Sequence, residues 1–482
     1  MKAIVAALLF ISSAGVLAAG NPAGFPGAAT VPALPLGHGV KVPPFERVQL
    51  GNGTVVLLME RHDVPLIAFS AVLRGGAISD PADASGMSSL LAALLQKGAG
   101  ARDAVEFAET VASVGGQIDT AASTESIAVS GSFLARDQQL MVELLADMLQ
   151  RPRLELAQFD TLRARHIEFI RAAKDSDLAA LAPIYGEASL FAGHPYGRPV
   201  DGSEASLAAI KHAQLQRYYQ EQVGADRLIV AVAGDFKTAQ LKQRISRAFS
   251  GWRKAGVPFQ AAPKAQPVAS RRVLLIDAPD SVQSYFWAGN VAVARSDPRR
   301  AALDVTNTLF GGRFTSMLNS ELRIRTGLSY GASSHFDRLL QPGHWALMSF
   351  TQTETTIQAL DLAFATLDKL HQSGLDPAQL DSGKSYVQGQ YPLALETAAQ
   401  WASQLASLAF YGLDRRYIDD YSAALAAVSD ADAKRAIAEA FPPSSALAIV
   451  VVGNAGAIRE GLRKYGPLTE MKLADRTFAP AQ

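Results

Sequence analysis

The 482-residue sequence contains no cysteine, which excludes disulfide crosslinks, thiolate metal ligands and a cysteine nucleophile together. It also lacks net charge. Lys plus Arg and Asp plus Glu each number 45, and no basic run interleaved with aromatics occurs, so a nucleic-acid surface is not expected. Histidine is sparse. The eight residues, His38, His62, His166, His194, His212, His335, His344 and His371, include no His-Glu-x-x-His and no pair at helical ligand spacing. His335 and His344 could meet across a hairpin but have no third ligand nearby, and His194, in His194-Pro195-Tyr196-Gly197-Arg198-Pro199, reads as a packed histidine. Ser382-Gly383-Lys384-Ser385 ends like a phosphate loop, but the position that needs glycine is Ala378 and the segment is helical in pattern, so no cradle of amides forms. Gly51-Asn52-Gly53 is a hairpin signal followed by a strand, not a dinucleotide fingerprint.

Of what is present, 49% is hydrophobic, enough for large cores, and the length calls for at least two domains. Residues 1–18 read as an export signal: Lys2, an apolar run over Ala3 to Ala14, and small side chains in Val16-Leu17-Ala18 before a mature start at Ala19. The chain is therefore expected to be exported, and periplasmic if its source is a Gram-negative bacterium. After that signal no apolar stretch is long enough to span a bilayer. Residues 19–44 form a Pro/Gly-rich arm, 45–254 a first domain, 255–271 a linker carrying Pro258, Pro263 and Pro267, and 272–482 a second domain.

The second domain repeats the first. Ser284 to Gly289 matches the strand at Ala68 to Gly75, Arg299 to Gly312 stands where the helix after that strand stands, and Trp345 to Phe350 mirrors Ile127 to Phe133. Leu375 to Leu380 echoes Leu154 to Phe159, and Ala446 to Val452 echoes Leu228 to Ala233. Elements in the same order imply an internal duplication of roughly 215 residues. Each unit is expected to be α+β, with helices packed on a mostly antiparallel sheet.

The stretch Gly311-Gly312-Arg313-Phe314-Thr315-Ser316-Met317-Leu318-Asn319-Ser320-Glu321-Leu322-Arg323-Ile324-Arg325-Thr326-Gly327-Leu328-Ser329-Tyr330 carries the chemistry of the second unit. Phe314, Met317, Leu318 and Leu322 recur at helical spacing, so a helix is predicted to open after the paired glycines and stop at Gly327. Arg323 then sits near a helix end with Tyr330 just past the turn, two donors able to point at one carbonyl or carboxylate.

This stretch resembles the second-half signature of the pitrilysin-like (inverzincin, M16-type) zinc peptidases and of mitochondrial processing peptidase subunits: a glycine-rich segment, then arginine and tyrosine seven positions apart. The resemblance covers essentially the whole mature chain. It implies two homologous M16-type domains facing each other as a clamshell, with Arg323 and Tyr330 reaching a substrate carbonyl at a zinc site. In this chain that zinc site is degenerate. The motif helix lies after the strand beginning at Leu66, with Met87, Leu90, Leu91, Leu94 and Leu95 on its apolar face. The ligand positions fall on Ser89 and Ala93, the general-base position on Ala92, and the distal acidic ligand near Phe169, next to Glu168. None of the three motif residues binds a metal or takes a proton near neutral pH.

The resemblance therefore implies an M16B-type non-catalytic subunit with no cofactor of its own. Its expected partner is a homologous catalytic subunit with an intact His-x-x-Glu-His motif and a zinc ion, and its substrates are peptides. In the family an extended peptide adds to a sheet-edge strand, which here places Gln117, Asp119 and Thr120 as substrate-binding residues. Two rival readings stand beside it: a peptide-binding or structural core-type subunit with no part in catalysis, and a homomeric peptidase whose metal site has moved.

Overall fold

The computed structural model describes residues 39–480. The expected export signal and most of the Pro/Gly arm lie outside the described residues. Among the described residues, no helix is long and apolar enough to cross a membrane.

Two six-stranded mixed sheets organise the chain. The first contains β1 (Glu46–Gln49), β2 (Val55–Glu60), β3 (Leu66–Arg74), β4 (Gln117–Ala122), β5 (Ser126–Leu134) and β6 (Leu228–Gly234), in the order β1-β2-β6-β3-β5-β4. The second contains β7 (Arg272–Asp277), β8 (Gln283–Val291), β9 (Ala332–Asp337), β10 (His344–Gln352), β11 (Ala448–Gly453) and β12 (Leu468–Lys472), in the order β12-β7-β11-β8-β10-β9. Five strands of each sheet, β2-β6-β3-β5-β4 and β7-β11-β8-β10-β9, correspond one to one, as a duplication requires. The outermost strand breaks the symmetry: β1 precedes its neighbour and pairs with β2 antiparallel, whereas β12 comes from the end of the chain and pairs with β7 parallel.

Five helices matter for the site: α1 (Met87–Leu95), α2 (Leu156–Ser176), α3 (Leu178–Leu190), α4 (Arg300–Asn307) and α5 (Ala398–Tyr411). The inner strands are apolar almost without alternation, and β6 (LIVAVAG) is buried throughout. Such a run belongs in a sheet covered on both faces. One face of the first sheet, with Val56, Leu58, Phe69 and Val230, packs under its own half's helices. The other face, with Leu57, Met59, Ile229 and Ala231, packs against Trp401, Leu405 and Leu408 of α5, a helix from the second half. The second sheet reciprocates: Leu274, Ile276, Trp287 and Val450 pack with α3, a helix from the first half. Each half thus lends the other one helix. Burying three side chains such as Trp401, Leu405 and Leu408 stabilises by roughly 5–8 kcal/mol in transfer free energy before ordering costs are subtracted.

Close approach makes the α3 contact sequence-specific. A Cβ on Gly186 would sit 2.4 Å from Cδ2 of Trp287, a ring that is fully buried and cannot retreat. Polar contacts complete the junction. Both carboxylate oxygens of buried Glu125 accept from the Leu340 amide (3.1 and 3.0 Å), Tyr196 donates to the same carboxylate (2.5 Å), and the Tyr196 oxygen accepts from the Gln341 amide (3.1 Å). Burial raises the Glu125 carboxyl, with these hydrogen bonds and Arg74 opposing the rise. The segment joining the halves has no regular structure but is tied down, with Val268 and Asn290 exchanging two hydrogen bonds and Pro263 accepting from His194. The end of the N-terminal arm is tied too: the Val42 amide donates to Asp419 and Arg415 donates to the Val42 carbonyl.

Candidate functional site

The motif positions expected from the resemblance fall on α1. Its N-terminus is held by Asp80, whose buried carboxylate accepts from the amides of Gly86 and Ser88 at 2.9 and 3.0 Å. Burial pushes the Asp80 carboxyl up to about 7, and the Ser88 and Gly86 hydrogen bonds oppose it. Leu90, Leu91, Leu94 and Leu95 are fully buried, the apolar face expected from their spacing. Ser89, Ala92 and Ala93 lie together on one side of a cavity of about 640 Å³. The Ser89 hydroxyl is already committed to Asp201 at 2.7 Å. Where a distal acidic ligand would stand, α2 presents Phe169 and Ile170 to the same cavity. Glu168 is exposed and bonded to Arg171 instead. These residues do not fit a zinc ion: two alanines and two large apolar side chains supply no donor atoms. His166 also lines the cavity, and burial lowers its ring basicity, with Asp201 opposing.

β4 is the free edge of the first sheet and pairs only with β5 among the described residues. The three residues expected to bind substrate do not share a face of it. Exposure alternates along the strand, so Gln117 and Asp119 lie on the outer face and Thr120 on the opposite one. Thr120 turns toward α1, donating to the Ala92 carbonyl at 2.7 Å and accepting from Gln96 at 3.0 Å. It therefore ties the edge strand to the motif helix.

In the second half the paired glycines close a widened helical turn, Thr308–Gly312, that continues α4. The next helical turns run from Met317 to Arg325 with Ser316 as N-cap, and Gly327 takes the left-handed stop at φ 66°. Phe314 departs from expectation. It lies before this helix instead of on its apolar face, and is 58% exposed. The Arg323 guanidinium lies over the Phe314 ring at 4.8 Å and the Tyr330 ring at 4.2 Å. Tyr330 is 73% exposed, while its loop is fixed from below: Ser349 donates to Ser329, and Thr351 to the Leu328 carbonyl. Neither Arg323 nor Tyr330 has a side-chain hydrogen bond or ion pair among the described residues, so the guanidinium edge and the phenol are free to bind a carbonyl or carboxylate. The cavity at α1 is lined by first-half residues and Phe478, and the Arg323/Tyr330 pair is not part of it.

Of the histidines weighed as ligands, His194 uses both nitrogens, accepting from the Tyr196 amide and bonding the Pro263 carbonyl. His335 and His344 are neighbours with ring centroids 5.5 Å apart. Burial pushes buried His344 down to about 3, with His335 adding to the shift. Sequence reasoning missed Glu187 and Asp201. Glu187 was legible in principle, because it follows Ala180, Leu181 and Ile184 at helical spacing on one apolar face of α3.

Comparison with known proteins places this geometry in a family. Residues 55–202 match the insulinase (peptidase family M16) model, and residues 209–387 the peptidase M16 inactive domain. An uncharacterized zinc protease of Mycobacterium bovis is 27% identical over 68% of this chain and 75% of its own length. A non-peptidase homolog of Helicobacter pylori is 22% identical over 74% of this chain and 82% of its own. A solved structure from Pseudomonas fluorescens, described as a peptidase M16 inactive domain, superposes with a TM-score of 0.79 at 21% identity, covering 85% of this chain and 98% of that one. With two α+β units of matching topology and family models covering residues 55–202 and 209–387, the chain belongs to the M16 peptidase family, and its features fit a non-catalytic member.

Proposed function

We propose that this protein is the exported, non-catalytic subunit of a heteromeric M16B-type zinc metallopeptidase, periplasmic if its source is a Gram-negative bacterium, working beside a homologous subunit that carries His-x-x-Glu-His and the zinc. One contrast carries the reading: the three motif positions hold Ser89, Ala92 and Ala93, while Arg323 and Tyr330 stay presented, unpaired and aligned over each other. In the complex Arg323 orients a substrate carbonyl, and Tyr330 donates a hydrogen bond to the carbonyl oxygen as negative charge develops on it. The free edge of β4 supplies backbone groups to an extended peptide.

Purification from the native source with mass spectrometry of the complex tests this. The expected result is a second M16 chain with an intact motif, and a reconstituted pair in which Tyr330→Phe lowers kcat/KM with zinc content and assembly unchanged. Recovery of this chain alone would instead support a peptide-binding or structural role, which the free β4 edge also favours. About one tightly held zinc per purified chain would support the third reading, a peptidase with a displaced metal.

A further inference from the structure

The second half has its own counterpart of the cavity at α1. The first cavity lies among α1, β4 and α2, and α3 adds one carboxyl to it, Glu187, which has no hydrogen bond or ion pair among the described residues. The counterpart lies among α4, β9 and the helix Pro377–Gln390, with a volume of about 420 Å³. Asp304 and Asn307 face it from α4, and Thr308 from the widened turn that continues α4, a kind of turn found frequently at functional sites. The acceptors here are already used. Asp304 accepts from Arg338 at 2.7 Å and from Tyr421 at 2.5 Å, and Asn307 accepts from Ser334 at 2.8 Å and from Trp345 at 3.0 Å.

The groups left over are cationic. Arg295 lines the cavity with no side-chain hydrogen bond or ion pair among the described residues, and its guanidinium lies 5.5 and 5.7 Å from the Tyr411 and Tyr417 ring centroids. Its Nε is buried without a partner. The Arg338 side chain is 8% exposed, and although one end holds Asp304, its Nε is also buried without a partner. Buried donors of this kind carry a desolvation cost that an anion offsets. In the cavity wall Arg295 and Arg338 stand against Asp304, which leaves one positive charge over. Just outside the wall Arg300, 3.6 Å from Asp304 and packed on Tyr417 and Tyr421, is offset by Asp337 at the end of β9. His335 adds little charge, because burial lowers its basicity, with Asp337 opposing. One surplus charge matches a monoanion better than a phosphate dianion. Phe336, Tyr386, Tyr391 and Tyr421 supply ring faces in the same wall, and Tyr386 is 42% exposed.

We propose that this cavity binds a small aromatic monocarboxylate, its carboxylate held by Arg295 and the unpartnered Nε of Arg338 and its ring packed among the tyrosines. The planar guanidinium fork matches a carboxylate, and offset or edge-on ring contacts hold the aromatic body. An uncharged aromatic would leave the arginine donors unpaired, and acetate would leave the rings uncovered. Neither Arg323 nor Tyr330 lines this cavity, so the proposal stands apart from the peptidase-subunit reading.

Calorimetric titration of the full mature chain with phenylpropionate, phenylpropanol, acetate and phenyl phosphate tests it. Phenylpropionate is expected to bind about tenfold or more tighter than phenylpropanol, the usual size for hydrogen bonds to a charged group, and tighter than acetate. Arg295→Gln should erase the preference for the acid over the alcohol while leaving the alcohol's affinity unchanged, which a misfolded variant could not do. Tyr386→Ala, at an exposed position, should weaken phenylpropionate toward acetate. Equal binding of the acid and the alcohol, full phenylpropionate affinity in Arg295→Gln, or no heat with any probe would overturn the site. Tighter binding of phenyl phosphate than of phenylpropionate would overturn the assignment to a monocarboxylate.

Discussion

Glu187 makes stability depend on pH in a direction opposite to that of a salt-bridged carboxylate. Burial, with Asp337 adding, pushes its carboxyl from the ordinary 4.5 up to about 8. Between those values the folded chain holds a proton that the unfolded chain has lost, so stability is fully present below about pH 4.5 and falls as pH rises toward 8. For a carboxyl wholly cut off from water the penalty is roughly 1 kcal/mol at pH 5 and roughly 3 kcal/mol at pH 7. Water entry into the cavity at α1 lowers it, so a loss of about 2 kcal/mol over that interval is the expected size. Glu187→Gln removes the titration while keeping the shape. Urea unfolding of both proteins at pH 5, 6 and 7 should give a variant whose stability advantage is smallest at pH 5 and grows by about 2 kcal/mol by pH 7. Asp80, raised to about 7, adds its own slope to both proteins, so the diagnostic quantity is the difference between the two curves. Parallel curves would refute the claim that Glu187 is an unpaired, desolvated carboxyl.

Four further outcomes follow from the same contacts. Gly186→Ala would gain about 1 kcal/mol of helix propensity but drives a methyl into Trp287, so thermal unfolding should show a net loss of roughly 1–3 kcal/mol. Tyr196→Phe leaves Glu125 and the Gln341 amide each short of a partner at the junction of the halves, and should cost about 1–3 kcal/mol by denaturant titration. In the reconstituted complex Tyr330→Phe should lower turnover on the order of 10²-fold, and Arg323→Ala should weaken both substrate binding and turnover, measured by peptide cleavage at full zinc occupancy. Elemental analysis of this chain purified without a metal-binding tag should find far less than one zinc per chain.

The sequence made the sheets legible because their inner strands are short apolar runs bounded by glycine and polar residues, and because duplication repeats them in order. The motif helix was equally legible, since Leu90, Leu91, Leu94 and Leu95 mark a single buried face. The two exchanged helices were not read at all. α3 carries apolar residues around its circumference, with Tyr185 and Ala182 buried toward the second half and Leu181 and Ile184 toward the cavity at α1, and Pro183 interrupts it. Its exposed positions, Ala179 and Ala180, are apolar too, so no polar stripe marks a wet face, and an internal proline reads as a stop. α5 has the same problem, lying against a sheet to which it does not belong in sequence. The three residues placed on β4 do not share a face for a simpler reason: neighbours along a strand point to opposite sides, so Thr120 faces α1 while Gln117 and Asp119 face outward.

The proposed absence of a metal on α1 and the proposed role of the Arg323/Tyr330 pair are compatible because the two places have different structural debts. The motif helix owes its position to buried leucines and to the Asp80 cap, so the fold does not need a metal held at Ser89, Ala92 and Ala93. The second place has no such explanation in folding. Phe314 and Tyr330 are more than half exposed, and Arg323 satisfies no buried acceptor, yet the loop beneath Tyr330 is fixed by the Ser349–Ser329 and Thr351–Leu328 hydrogen bonds. Holding a surface aromatic in a set position yields little folding free energy, and an arginine framed by aromatic rings is the composition that carries binding energy at protein surfaces. That asymmetry is the physical reason to look for this protein's activity in what it presents to another chain.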